Sequence, residues 1–193
     1  VQCISSLDQE RYGKLLKYLL SSVPFKFEDL CDKCTSKLIE SLIINMGKNA
    51  ITAIYQQTLT NTENLPKNSL GGAVDCAFDP IANYVLQKWF EFCRDPEQLI
   101  VIINQLMPKV ESLLGRKPQV VVSISKGLIL TNHKIQKKFY DILSKYSGND
   151  SNFVEFFIEF KPPNGSKILQ NLCYFDKSII NSTLVDSLFR LGG

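Results

Sequence analysis

The stretch Asp79-Pro80-Ile81-Ala82-Asn83-Tyr84-Val85-Leu86-Gln87-Lys88 decides how the rest of the chain is understood. Asp followed by Pro is a helix-start signal. The carboxylate caps free backbone N–H groups, and proline suits the first helical turn. The predicted helix runs to about residue 93, with Trp89 and Phe90 in the core. Within it Asn83 and Gln87 stand one turn apart on one face, with Tyr84 beside them. Val85 and Leu86 turn toward neighbouring helices. Two amides so placed can grip a Watson–Crick edge together, and a tyrosine ring can stack on a base. On that view both amide side chains are expected to be exposed. The plainer alternative is a solvated face with a hydrogen-bonded i, i+4 pair, and a tyrosine at the core edge.

Helical periodicity extends outward on both sides. Upstream, Leu15, Leu16, Leu19 and Leu20 mark a helix over about 7–21, and Pro24 marks a break. Short helices are predicted to residue 31, over 33–46 with Leu38, Ile39, Leu42 and Ile43 as the apolar stripe, over 48–60, and over 70–77 after a loop at 61–69. Downstream, Asp95-Pro96 repeats the start signal for a helix to 106, and Pro108 restarts a shorter one to 114. Val120–Val122 has strand propensity, but its helical neighbours favour a short helix. Helices over 131–146, 151–160, 164–174 and 178–190 complete an all-α chain.

Many short helices call for a repeat search. Four segments share one pattern: Ser36-Lys37-Leu38-Ile39-Glu40, Asn83-Tyr84-Val85-Leu86-Gln87, Asn132-His133-Lys134-Ile135-Gln136 and Ser166-Lys167-Ile168-Leu169-Gln170. Each has a small polar residue first, a long or stacking residue second, and Gln or Glu fifth. The apolar register continues at Leu42 and Ile43, Trp89 and Phe90, Lys138 and Phe139, and Leu172 and Cys173. First positions are separated by 47, 49 and 34 residues.

These residues resemble the second-helix signature of Pumilio (PUF) RNA-binding repeats, most specifically across Asp79–Lys88. Phe160–Phe175 and the closing INSTLVDSLFRL resemble the divergent nucleolar branch of that family, which acts in small-subunit pre-ribosomal RNA processing. The long intervals and the lysines at second positions favour that branch over regular messenger-RNA regulators.

The resemblance implies a right-handed α-solenoid of Pumilio-like repeats over 1–193, with repeats centred near 36–46, 80–93, 131–146 and 164–174 and partial repeats at the ends. The chain starts at Val1 without Met and is expected to be a fragment of a longer array. The resemblance also implies binding of pre-ribosomal RNA, control of nuclease access, assembly-factor partners, and residence in nucleus and nucleolus. The implied RNA-binding residues are Ser36, Lys37, Glu40, Asn83, Tyr84, Gln87, Asn132, His133, Gln136, Ser166, Lys167 and Gln170. By the family's pairing rule, Ser36/Glu40 would take G, Asn83/Gln87 and Asn132/Gln136 would take U, and Ser166/Gln170 would take A. Lys88, Lys137 and Lys138 are candidates for phosphate contact or ordinary surface. A HEAT- or armadillo-like protein-binding scaffold and a Pumilio-type messenger-RNA regulator are the alternatives.

Composition agrees with a folded binding module. Of 193 residues, 45% are hydrophobic and 21% charged, which excludes a disordered tail or a coiled coil. A net charge of +3 permits an anionic partner without demanding one. No apolar run reaches the roughly 18 residues of a membrane span. Six cysteines include one C-x-x-C, Cys31 and Cys34, with no second pair at zinc-binding spacing. Reduced, packed cysteines suit an intracellular protein. His133 is the only histidine, which excludes multi-histidine zinc hydrolysis. No G-x-S-x-G, G-x-G-x-x-G or Walker A sequence occurs. An enzyme, a metal, a cofactor and a small-molecule substrate are therefore not expected.

Overall fold

The computed structural model describes residues 25–60, 72–148 and 153–177, together with Lys14 and Tyr18. The helices expected over 7–21 and 178–190, the break at Pro24 and the loop at 61–69 lie outside the described residues. The helices are α1 (Phe27–Cys31), α2 (Lys33–Met46), α3 (Lys48–Ile54), α4 (Gly72–Phe78), α5 (Ala82–Phe92) and α6 (Pro96–Leu106). They continue as α7 (Val110–Arg116), α8 (Pro118–Leu128), α9 (His133–Ser147), α10 (Phe153–Glu159) and α11 (Asn164–Leu172). A π-helical turn, Tyr55–Leu59, extends α3, and a 3-10 turn, Met107–Lys109, precedes α7. No strand occurs among the described residues.

Aspartates set the helix starts. Asp32 Oδ1 accepts from the Cys34 and Thr35 backbone N–H groups at 3.0 and 2.7 Å, which caps α2. Asp79 Oδ1 accepts from Ile81 and Ala82 N–H, both at 2.7 Å, so it closes the turn leading into α5. Asp95 Oδ1 accepts from Glu97 N–H at 3.0 Å at the start of α6. Gly47, at φ 49°, ends α2 and lets α3 begin immediately in a new direction.

Residues Val120–Val122 lie inside α8, an eleven-residue helix. Pro118 supplies the first helical turn. Val120, Val121, Ile124 and Leu128 fall on one buried face at helical spacing. Burial of that face overrides the strand preference of single β-branched residues.

The chain forms two compact units, Val1–Gln98 and Leu99–Gly193. In the first unit α5 packs on α2 and α4. Its core holds Leu30, Ile39, Leu42, Ile43, Ile54, Trp89 and Phe90. The Trp89 and Phe90 rings meet edge to face at 5.4 Å, and Trp89 Nε1 donates to the Ile51 carbonyl at 3.0 Å. In the second unit α11 packs on α8 and α10. Phe153, Phe157, Ile124, Leu128 and Ile168 lie inside it. A Cβ at Gly165 would overlap the Phe157 carbonyl, so only glycine lets the start of α11 come this close to α10.

Candidate nucleic-acid interface

The α5 segment sets the reference pattern. Asn83 is buried, Tyr84 exposed, Val85 and Leu86 buried, Gln87 and Lys88 partly exposed, and Trp89 and Phe90 buried. In α2 the same alternation falls on Ser36, Lys37, Leu38, Ile39, Glu40, Ser41, Leu42 and Ile43, with Leu38 slightly more open. In α11 it falls on Ser166 through Cys173, with Ser166, Gln170 and Cys173 more open. These three helices present their second and fifth residues to solvent as the sequence pattern expects.

First positions behave differently from the expectation. Ser36 is 2% exposed and Asn83 is 4% exposed. They face the helix packing, because their positions lie one residue before the exposed ridge. Asn83 Nδ2 donates to the Asp79 carbonyl at 2.7 Å, and Asn83 Oδ1 accepts from Gln87 Nε2 at 2.8 Å. The i, i+4 pair is thus a hydrogen-bonded relay, and Gln87 alone carries its outward polar edge. Ser36 Oγ donates to the Lys33 carbonyl at 3.2 Å, and Ser166 Oγ to the Pro163 carbonyl at 3.0 Å.

The segment Asn132–Gln136 departs further. Asn132 caps α9: its Oδ1 accepts from Ile135 N–H at 3.2 Å. Gln136 is 5% exposed and is consumed by the fold. Its Nε2 donates to the Leu128 carbonyl at 3.0 Å, and its Oε1 accepts from Asp176 N–H at 3.2 Å. Asn132 and Gln136 therefore do not form an edge-reading pair. His133 and Lys134 beside them are exposed. The register Leu42/Ile43 and Trp89/Phe90 is matched in α9 by Phe139 and Tyr140, which explains the misfit of Lys138.

The counterpart of α2 and α5 is α8. Pro118 through Ser125 repeat the α5 alternation without exception: buried, exposed, buried, buried, two partly exposed, buried, buried. Like α5 on α2, α11 packs on α8. Asn171 Nδ2 ties the two, donating to Ser125 Oγ at 2.9 Å and to the Val122 carbonyl at 3.3 Å. On this helix Gln119 holds the second position and Val122 the fifth, so it lacks a polar group for a base edge. Polar residues at first and fifth positions do not mark α8; the burial period of its apolar residues is the signal in the sequence that does.

The first unit brings two helices' candidates together. Lys37 Nζ lies 5.8 Å from the centroid of the Tyr84 ring, and Tyr84 is 55% exposed. Lys37 also pairs with Glu40 at 2.9 Å. Tyr84, Lys37, Glu40 and Gln87 thus share one surface, with a ring face, a cation, a carboxylate and an amide. Lys88 pairs with Glu91 at 2.8 Å and lies 5.9 Å from the Phe92 ring, so its charge is locally balanced. In the second unit Lys167 and Gln170 are exposed on α11. Among the described residues no cluster of His, Cys, Asp or Glu could hold a metal ion, and no helix is long and apolar enough to cross a membrane.

Helices in a shared register, paired side by side and carrying polar residues at matched exposed positions, define a helical-repeat binding protein. The family model for the NOP9-like PUF repeat domain matches residues 21–192, and the chain belongs to that family. It is an all-α, RNA-binding repeat protein, of a family that is not enzymatic. No curated protein and no solved structure matches it.

Proposed function

We propose that this chain binds precursor ribosomal RNA during small-subunit maturation, and that by occupying it the protein controls when nucleases and assembly factors reach the RNA. The support is membership in the NOP9-like branch rather than in the PUF repeats at large. The observation that carries the site is the shared surface of Lys37, Glu40, Tyr84 and Gln87 in the first unit. There a base stacks on Tyr84 beneath the Lys37 ammonium, while Gln87 and Glu40 meet base edges. Lys167 and Gln170 play the same parts in the second unit. Nucleolus and nucleoplasm are the corresponding location. A backbone held on such a surface is sterically closed to a nuclease, and no chemistry by the protein is required.

The test is binding of the chain to small-subunit pre-ribosomal RNA, set against a scrambled RNA, at about 0.15 M salt. Tighter binding to the ribosomal precursor is expected. Equal affinity for both would remove the pre-ribosomal assignment. Microscopy of the tagged protein should show nucleolar enrichment; an exclusively cytoplasmic protein would instead fit a messenger-RNA regulator.

A further inference from the structure

The lysines of α2 and α5 differ from those of α9. Lys37 and Lys88 each have a glutamate three residues on and pair with it. Along α9, Lys134, Lys137, Lys138 and Lys145 are all exposed. None of them closes an ion pair among the described residues, although Asp141 lies three residues from Lys138 and four from Lys145. With Glu111 of α7 and with His133, Asp141 and Ile142 of α9 they line an open groove of about 500 Å³.

The charge arithmetic isolates this helix. Four lysines against one aspartate give α9 a surplus of three positive charges, which equals the net charge of the whole chain, +3. Like charges three and four residues apart weaken a helix. Lys134 stands in that relation to both Lys137 and Lys138, so the arrangement is unfavourable for α9 alone. A polyanion laid along the helix reverses the sign of that interaction. From Lys134 to Lys145 the rise is about 16 Å, a span that a few successive backbone phosphates of one strand can follow. Four lysines outnumber the carboxylates of Glu111 and Asp141 along the groove, and His133 at its end is the one ring in the lining, so its chemistry suits a phosphate backbone more than a row of stacked bases.

We infer that the α7–α9 groove is a second RNA contact, one that holds the sugar-phosphate backbone through Lys134, Lys137, Lys138 and Lys145 without reading sequence. It rests on the RNA-binding function proposed above and adds a sequence-independent surface on α9, a helix outside the α8–α11 register.

The experiment compares salt dependence. The chain carrying Lys134→Gln, Lys137→Gln, Lys138→Gln and Lys145→Gln is titrated with precursor and scrambled RNA across a salt series, beside a Tyr84→Ala variant. Glutamine keeps helix propensity at exposed positions. The expected result is weaker binding of both RNAs by the same factor. The slope of log affinity against log salt should fall by about 0.7 for each phosphate no longer neutralised. Tyr84→Ala should instead leave the slope unchanged. A quadruple variant with the wild-type melting curve, affinity and slope would overturn the inference. Loss of affinity in Tyr84→Ala in that same experiment would show that the RNA-binding function itself stands. If the quadruple variant misfolds, the pair Lys137→Gln and Lys138→Gln is read in the same way. An unmodified chain that binds neither RNA at low salt would remove both proposals.

Discussion

At the scale of single residues, Asn83 and Gln87 divide their labour. Gln87 faces outward and Asn83 inward, linked by a 2.8 Å hydrogen bond. Changing both to alanine would strip the Asp79 carbonyl of its donor as well as the surface of its amide, so the double variant cannot separate binding from folding. Tyr84→Ala is the cleaner probe. Stacking on an aromatic ring contributes about 1–3 kcal/mol per base. Filter binding should therefore show a loss of about 5- to 150-fold in RNA affinity, with an unchanged circular-dichroism spectrum. Asp32 supplies a pH dependence. Its hydrogen bonds from Thr35, and then from Cys34, hold its carboxyl below the ordinary carboxylate value. The folded state therefore favours the charged form. The stabilisation is present above the unfolded carboxylate range and is lost as pH falls through the lowered folded value. Asp32→Asn should flatten the acid limb of stability measured by urea titration between about pH 5 and pH 2; an acid limb identical to wild type would contradict the cap's role. Gly165→Ala is expected to lower the melting temperature clearly, because the new methyl meets the Phe157 carbonyl on a packed backbone.

At the scale of elements, helix boundaries were legible wherever a start signal had a mechanism. Asp79 and Asp95, each before a proline, bind backbone N–H groups at the turns their positions suggested, although α5 begins only at Ala82 and not at Pro80; Asp32 caps α2 without any such proline signal. Apolar periodicity likewise placed Leu42, Ile43, Trp89 and Phe90 in the core. The repeat register was legible in α2, α5 and α11 but not between them. Asn132 and Gln136 imitate the pattern in residue type, yet one is a helix cap and the other a buried bridge from α9 to Leu128 and Asp176. Residue identity alone cannot separate an amide that faces RNA from one that satisfies a carbonyl; the partner decides, and it comes from another element. The helix that does share the burial alternation of α5, α8, was hidden by Pro118 and Val122, which carry no polar signature. A direct check follows. Gln136→Ala removes the donor to the Leu128 and Thr131 carbonyls and the acceptor of Asp176 N–H, and should cost about 1–3 kcal/mol in denaturant unfolding. The RNA affinity of the folded fraction should not change. Gln87→Ala should show a measurable loss of affinity together with a stability loss of its own, because Asn83 Oδ1 loses its donor.

At the scale of the whole molecule, composition argued against catalysis and a membrane span but was silent about which surface works. The thiols offer a map of the folded state. Burial, with the Asp79 carboxylate beside it, pushes Cys31 up to about 12, and burial raises Cys93 to about 11. Cys76 is raised too, again chiefly by burial. Only thiolates alkylate, so these three should react slowly near neutral pH, and among the described cysteines the exposed Cys34 and Cys173 should label first. Mass mapping after brief iodoacetamide treatment checks the order; early labelling of Cys76 would contradict the packing of α4. The placement of charge has a further consequence. Outside α9 the acidic and basic side chains of the chain balance, so this one helix carries a charge equal to the surplus of the whole chain. Capture and discrimination then become successive events with different kinetics. On the two proposed contacts, approach steered by α9 would slow steeply as salt rises, whereas the lifetime of a complex seated on Tyr84 would be governed by short-range stacking and change far less. On those two proposed contacts a transcript would be caught first by its backbone and examined afterwards by its bases.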